Sequence, residues 1–214
     1  MTAETNLFAH ASFLMSAARL AQLPQDDIGE IAFAGRSNAG KSSALNKLCG
    51  IRALARVSKT PGRTQLINLF TLQTPTRLAD LPGYGFAQVP EAIRRQWGAL
   101  VGGYIETREN LSGLVVMMDV RHPLTPLDRQ MLDWSHSHQR PVHILLTKAD
   151  KLGRGAAGNA LAGVRKDLKA YGESVTAQLF SALKGTGIDE ARATIAERFG
   201  VTSALQSDSD SSVP

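Results

Sequence analysis

A single cysteine, Cys49, occurs in the 214 residues, so no internal disulfide can staple the chain, and a reducing, cytoplasmic setting is the expected one. No apolar run approaches the ~18 residues of a membrane-spanning helix. That excludes a helical membrane protein, and no membrane partner is expected. The opening MTAETNLFAH lacks a basic stretch followed by an apolar one, so no secretory leader is expected either. Internal repeats are absent. Acidic residues are missing altogether between Glu30 and Asp80, where eight bases stand: Arg36, Lys41, Lys47, Arg52, Arg56, Lys59, Arg63 and Arg77. A stretch of one sign predicts either a solvated basic face or a polyanionic ligand.

What is present suits one folded domain with extensions. Of the residues, 43% are hydrophobic and 20% charged, and a chain of this length buries roughly 70% of its unfolded surface without a metal or disulfide. The formal net charge is +5. Only Arg19 stands against Glu4, Asp26 and Asp27 before residue 30, and only Asp208 and Asp210 are charged after residue 200, so the span between holds 23 bases and 14 acids. We expect an N-terminal extension over 1–27, a domain over 28–200 and a disordered Ser/Asp-rich tail over 201–214.

Short apolar runs alternate with helical patterns. Strands are expected at Glu30–Ala34, Leu66–Leu72, Arg77–Leu81, Leu114–Met118, Val142–Leu146 and Val175–Phe180. Helices are expected through Leu45–Cys49, Ile93–Tyr104, from Thr125-Pro126-Leu127-Asp128 onward, through Leu161–Tyr171, and through Ile188–Phe199. Residues 51–64, basic and polar with Pro61-Gly62, read as a mobile loop. The alternation predicts an α/β fold, a mixed and mostly parallel six-stranded sheet with helices on both faces.

Chemistry concentrates in three places. Gly35-Arg36-Ser37-Asn38-Ala39-Gly40-Lys41-Ser42 fits G-x-x-x-x-G-K-[ST] where the first strand turns into the first helix, the context a P-loop requires. Its backbone N–H groups would curl round phosphate oxygens, Lys41 would reach the β and γ phosphates, and the Ser42 hydroxyl would ligate Mg²⁺. Asp80-Leu81-Pro82-Gly83 ends an expected strand. The carboxylate could hold Mg²⁺ through water, and the Gly83 N–H could meet a γ-phosphate. Thr147-Lys148-Ala149-Asp150 follows another strand. The Asp150 carboxylate would accept both guanine N1–H and N2–H₂, which adenine cannot offer, Lys148 could lay its stem along the base, and in Phe180-Ser181-Ala182 the Ala182 N–H could meet guanine O6.

With these motifs in order, the chain resembles the EngB (YihA/YsxC-like) family of bacterial ribosome-biogenesis P-loop GTPases. The resemblance rests on GRSNAGKSS at 35–43, SKTPGRTQLINLF at 58–70, DLPGYGFA at 80–87, TKAD at 147–150 and FSALKGTG at 180–187, and covers about residues 28–200. It implies GTP and GDP binding with Mg²⁺, slow hydrolysis stimulated by a partner, a monomeric G domain, a role in assembling the large ribosomal subunit from rRNA and ribosomal proteins, and a requirement in cell division and septation. It also implies that Thr64 is the second protein ligand of Mg²⁺, with Thr60 the competing candidate, and that Gly62, Arg63, Gln65 and Leu66 touch nucleotide alongside Ser43. Lys41, Thr64 and Gly83 are then the expected catalytic set.

Two departures from commoner GTPases stand out. Thr147 replaces the usual Asn of the guanine motif, which removes an amide that could brace the P-loop. Tyr84 stands where many GTPases place a water-orienting Gln, which leaves the hydrolytic water without an obvious side-chain partner. Asn38 occupies a position where related GTPases bind K⁺. The alternatives are an RNA-binding module that holds GTP without turnover, and an ATPase or nucleotide kinase, which Asp150 argues against. Cys49, Trp97 and Tyr104 read as packing residues, and His136 and His138 face different ways on a helix, so they form no metal pair.

Overall fold

A computed structural model describes residues 6–55, 66–85 and 91–201, with only the backbone described for 91–97. Seven strands form one sheet: β1 (Ser12–Ala17), β2 (Gly29–Gly35), β3 (Ile67–Thr71), β4 (Thr76–Asp80), β5 (Leu111–Asp119), β6 (Val142–Thr147) and β7 (Val175–Leu179), in the order β1-β3-β4-β2-β5-β6-β7. Strands β4, β2, β5, β6 and β7 are parallel, and β1 and β3 run antiparallel to their neighbours. Among the described residues five α-helices, α1 (Lys41–Cys49), α2 (Glu91–Thr107), α3 (Pro126–Ser137), α4 (Arg154–Asp167) and α5 (Ile188–Phe199), supply the crossovers and flanks.

The sequence predicts six strands, and the extra one is β1, inside the expected N-terminal extension. Only Ala17 of β1 is buried, while Phe13 is 59% and Leu14 41% exposed, so the segment lacks the alternation that marks a half-buried strand. Its pairing with β3 and the edge-to-face contact of Phe13 with Phe70 at 6.0 Å hold it in place.

The core lies on both faces of the sheet because successive strand residues face opposite ways. Ala32, Ala34, Leu114, Val116, Ile144 and Leu146 pack with Val101, Tyr104, Met131, Leu132 and Val164 of α2, α3 and α4. Ile31, Phe33, Val115, Met117 and Leu145 pack with Leu45, Leu48, Ile195 and Phe199 of α1 and α5. Each fully buried aliphatic or Phe side chain stabilises the fold by ~1.5–3 kcal/mol. Buried Cys49 and Tyr104 belong to these layers. Helix limits follow the expected signals: α1 stops at Gly50, which adopts φ 73°, and α3 opens with the Thr125 N–H and hydroxyl donating to Asp128 Oδ2 at 2.9 and 2.7 Å.

The N-terminal ends of the parallel strands hold a buried charge cluster. Glu30, fully buried, accepts from Tyr104 Oη at 2.5 Å and from Arg108 Nε and Nη2 at 2.8 and 2.7 Å. Arg77 pairs with Glu30 at 3.1 Å and donates to both carboxylate oxygens of Asp26. Arg77, 3% exposed, is therefore structural and drops out of the basic stretch counted as a face for polyanions. The expected 51–64 loop is described only to Ala55, and the tail only to Val201.

Candidate nucleotide site

The loops at the C-terminal ends of β2, β4, β5, β6 and β7 converge on one side of the sheet, where ligands of parallel α/β folds bind. Gly35 closes β2 with no room for a side chain, since a Cβ there would lie 2.8 Å from Met117 O. Asn38 and Gly40 adopt φ 62° and 91°, and α1 begins directly after this left-handed turn. The loop therefore presents its backbone ahead of a helix N-terminus, a cradle for phosphate.

Lys41 Nζ donates to Asp80 Oδ1, so the P-loop cation and the carboxylate at the end of β4 meet at one place, with side chains 13% and 8% exposed. Ser42 follows Lys41 in the first turn of α1. Among the described residues no three His, Cys, Asp or Glu side chains cluster as a metal cage. The donors present for Mg²⁺ are single hard oxygens, Ser42 Oγ and the Asp80 carboxylate, and this set suits a cation that takes its remaining oxygens from phosphate and water. Downstream, Leu81 N–H donates to Phe33 O at 3.0 Å and its side chain enters the core, while Gly83 sits against the P-loop.

The guanine-type motif is built against the same loop. The Thr147 hydroxyl lies 2.5 Å from Ala39 O and 3.1 Å from Met118 O. Lys148, at φ 58°, donates from Nζ to Asn38 O at 2.7 Å and pairs with Asp119 Oδ2 at 3.0 Å. The Arg121 guanidinium, with Lys148 beside it, holds the Asp119 carboxyl well below the usual carboxylate range. Asp150 Oδ1 accepts from Ser181 Oγ at 2.5 Å, Ser181 Oγ accepts in turn from Lys184 N–H at 3.1 Å, and Ala149 N–H donates to Phe180 O at 3.1 Å. A cleft of about 620 Å³ runs from Gly40 and Ser43 to Lys148, Asp150, Phe180 and Ala182.

Gly35–Ser43, Asp80–Gly83, Thr147–Asp150 and Phe180–Ala182 are thus brought together. Leu66, 37% exposed, sits at the entrance to β3. Gly62, Arg63, Thr64 and Gln65, with the competing Thr60, lie outside the described residues.

The two departures from commoner GTPases each acquire a structural account. Thr147 does not forfeit the P-loop brace, because its hydroxyl reaches the Ala39 carbonyl directly and a shorter side chain suffices where the strand comes this close. Tyr84 is 1% exposed, and its hydroxyl donates to Asp128 Oδ1 at 2.8 Å, so it faces the core and not the phosphate side of the loop. Sequence reasoning missed Asp119, although its place at the end of the central strand was a usable signal. It also missed Asn46, whose side chain accepts from Ala55 N–H at 2.8 Å and donates to Ala55 O at 3.1 Å, tying residues after α1 back to that helix.

Comparisons with known proteins identify the family and the fold. The family model described as "50S ribosome-binding GTPase" matches residues 30–148. The chain is 58% identical over 191 residues to the "Probable GTP-binding protein EngB" of Azoarcus sp. (strain BH72), covering 89% of this chain and 91% of that protein. It is 52% identical to the protein of the same name from Coxiella burnetii (strain RSA 493 / Nine Mile phase I), covering 90% and 94%. Among solved structures, one of a probable GTP-binding protein engB superposes with a TM-score of 0.66 at 22% identity, covering 80% of this chain and 99% of that one. Era in complex with MgGDPNP and nucleotides 1506-1542 of 16S ribosomal RNA superposes with a TM-score of 0.64 at 23% identity, covering 81% and 57%.

Proposed function

The chain belongs to the EngB family of GTP-binding proteins, a P-loop GTPase family, and from that premise we propose that it is a slow GTP-hydrolysing switch acting on the large ribosomal subunit or its precursor, upstream of normal division and septation. The observation that carries the nucleotide half is Asp150, aimed by Ser181 at the wall of a cleft that continues into the P-loop. A carboxylate there selects guanine by accepting two hydrogen bonds, and the Ala182 N–H faces O6.

Each residue then has a task. The backbone of Gly35–Gly40 binds phosphate oxygens, and Lys41 leaves Asp80 to neutralise charge on the β and γ phosphates. Gly83 reports the γ-phosphate. Ser42 and, in the GTP state, Thr64 would hold Mg²⁺, with the Asp80 carboxylate acting on it through water, and the cation would add neutralisation of phosphate charge. Asn38 would be the contact for K⁺, and a faster rate in K⁺ than in Na⁺ buffer would test it, equal rates removing the cation. The burial of Tyr84 supports slow turnover, since its hydroxyl is engaged with Asp128.

The ribosomal half rests on family membership and on charge. Arg52, exposed at the rim of the cleft, begins a run continued by Arg56, Lys59 and Arg63, and nucleotide-dependent presentation of these bases suits RNA phosphates. Co-sedimentation with purified large-subunit particles tests it. Binding should be tighter with a non-hydrolysable GTP analogue than with GDP and should weaken as salt rises. Binding that ignores both nucleotide and salt would refute the ribosomal reading.

A further inference from the structure

Tyr84 directly follows the glycine assigned to the γ-phosphate, and it is tied down on two sides. Its carbonyl accepts from Ser37 N–H at 2.7 Å and its N–H donates to Gly35 O at 3.2 Å, so its backbone is stitched to the opening of the P-loop. Its side chain, packed in the core layer that includes Met131 and Leu132 of α3, places the hydroxyl 2.8 Å from Asp128 Oδ1. Asp128 is fully buried, and its other oxygen takes the Thr125 N–H and hydroxyl that open α3. Burial and the neighbouring carboxylate both push the Tyr84 hydroxyl to a higher pKa, so it stays a neutral donor. A Cβ placed on Gly83 would lie 3.6 Å from both Gly35 O and Ser37 N. Gly83 is therefore seated against the P-loop by the residue after it.

We infer that Tyr84 and Asp128 form a positioning pair that holds the Gly83 amide at the P-loop, so that discrimination between GTP and GDP depends on a hydrogen bond to the first turn of α3 rather than on a side chain at the attacking water. A free residue after Gly83 would let the glycine sample many backbone conformations, and the γ-phosphate contact would have to order it on binding. With the phenol fixed, that ordering is already done. The same link makes the first turn of α3 part of the γ-phosphate sensor, because Gly83 cannot move far unless Tyr84 also shifts against Asp128. This inference rests on the GTP-site reading above.

The test compares Tyr84→Phe, Asp128→Asn and the double variant for affinity toward GDP and a non-hydrolysable GTP analogue. Each single change should weaken the analogue about five- to tenfold, the scale of one ordinary hydrogen bond within a protein, and leave GDP unchanged. The double variant should be no weaker than the weaker single one, since both changes act on the same bond: Tyr84→Phe deletes its donor, and Asp128→Asn, with its oxygen held by the Thr125 N–H and hydroxyl, turns the acceptor facing Tyr84 into an amide NH2. In the wild-type protein, amide exchange in residues 81–85 and 121–128 should slow together on adding the analogue and not on adding GDP. Equal losses for GDP and analogue would overturn the pair as a sensor and leave it a packing feature. A drop in kcat in Tyr84→Phe alone, with analogue affinity intact and Asp128→Asn normal, would overturn it in favour of a hydroxyl acting on water. If either variant fails to fold, independent exchange behaviour of the two wild-type segments overturns the inference by itself. Wild-type protein that binds neither nucleotide would instead defeat the site reading, a result distinct from every outcome of the variants.

Discussion

The two ends of the parallel strands use the same residue types to opposite purposes. At the N-terminal end, Glu30, Arg77, Arg108, Asp26 and Tyr104 answer one another side chain to side chain, and Glu30 has no exposed surface. At the C-terminal end, Lys148 reaches the Asn38 carbonyl, Asp150 spends one oxygen on a serine, and Lys41 and Asp80 meet beside an open cleft. A set of charges paired this fully, with only Arg77 Nε unanswered among the described residues and Asp26 partly exposed, can only be broken. Charges distributed over loop carbonyls, with a cleft beside them, can be redirected to a ligand. Residue type alone does not separate structural from functional charges; closure of the network does.

The sharpest break in that comparison is at Glu30. Glu30→Ala leaves Arg108 and part of Arg77 buried without their carboxylate, which for a buried ion pair costs about 3–5 kcal/mol. Denaturant unfolding should show that loss. Nucleotide affinity of the folded fraction should not change, because the cluster lies at the far end of the sheet from the cleft. A matching loss of nucleotide affinity would show that the two ends are coupled.

This contrast also explains what was legible in the sequence. Six strands, five helices, the P-loop, Asp80-Leu81-Pro82-Gly83 and the Thr147–Asp150 motif are written in local patterns, because each needs particular residues at fixed spacing. Strand β1 was not, since an edge strand with one buried residue carries no period. Arg77 was counted with a basic run because its partners, Asp26 and Glu30, lie 51 and 47 positions away. The Tyr84–Asp128 and Thr147–Ala39 bonds join residues 44 and 108 apart, and only the folded sheet brings them within reach. Asp128 was visible as a capping acid, but its second oxygen had no partner that spacing could supply.

The next largest effect belongs to the open end. Asp150→Asn keeps an acceptor but turns the other guanine contact into a facing donor, so guanine affinity should fall by about 2–3 kcal/mol. Xanthine nucleotides should gain relative to guanine ones, and thermal stability should move little because, among the described residues, Asp150 belongs to no buried ion pair. Competition binding with GDP and xanthosine diphosphate reads this directly. Unchanged guanine binding would remove Asp150 from the site.

The smallest effect is the most informative about where the two kinds of network meet. Thr147 is 3% exposed, as buried as the members of the closed cluster, yet its hydroxyl reaches the carbonyl of a P-loop residue, Ala39. That hydroxyl has one proton, and the nearer acceptor at 2.5 Å is Ala39 O rather than Met118 O at 3.1 Å. Thr147→Val keeps the shape and removes the donor, so the loop loses a brace worth about 1 kcal/mol. If the brace preorganises the phosphate cradle, GDP and GTP should both bind about fivefold more weakly, by the same factor, because the loop meets the phosphates that the two share. That signature differs from Asp150→Asn, which changes the preferred base, and from Tyr84→Phe, which separates GTP from GDP. Titration of the valine variant with both nucleotides, beside its unfolding midpoint, distinguishes the outcomes. A fall in stability with both affinities intact would place Thr147 in the closed, structural class, and the P-loop would then owe its shape to Lys148 and its own left-handed turn.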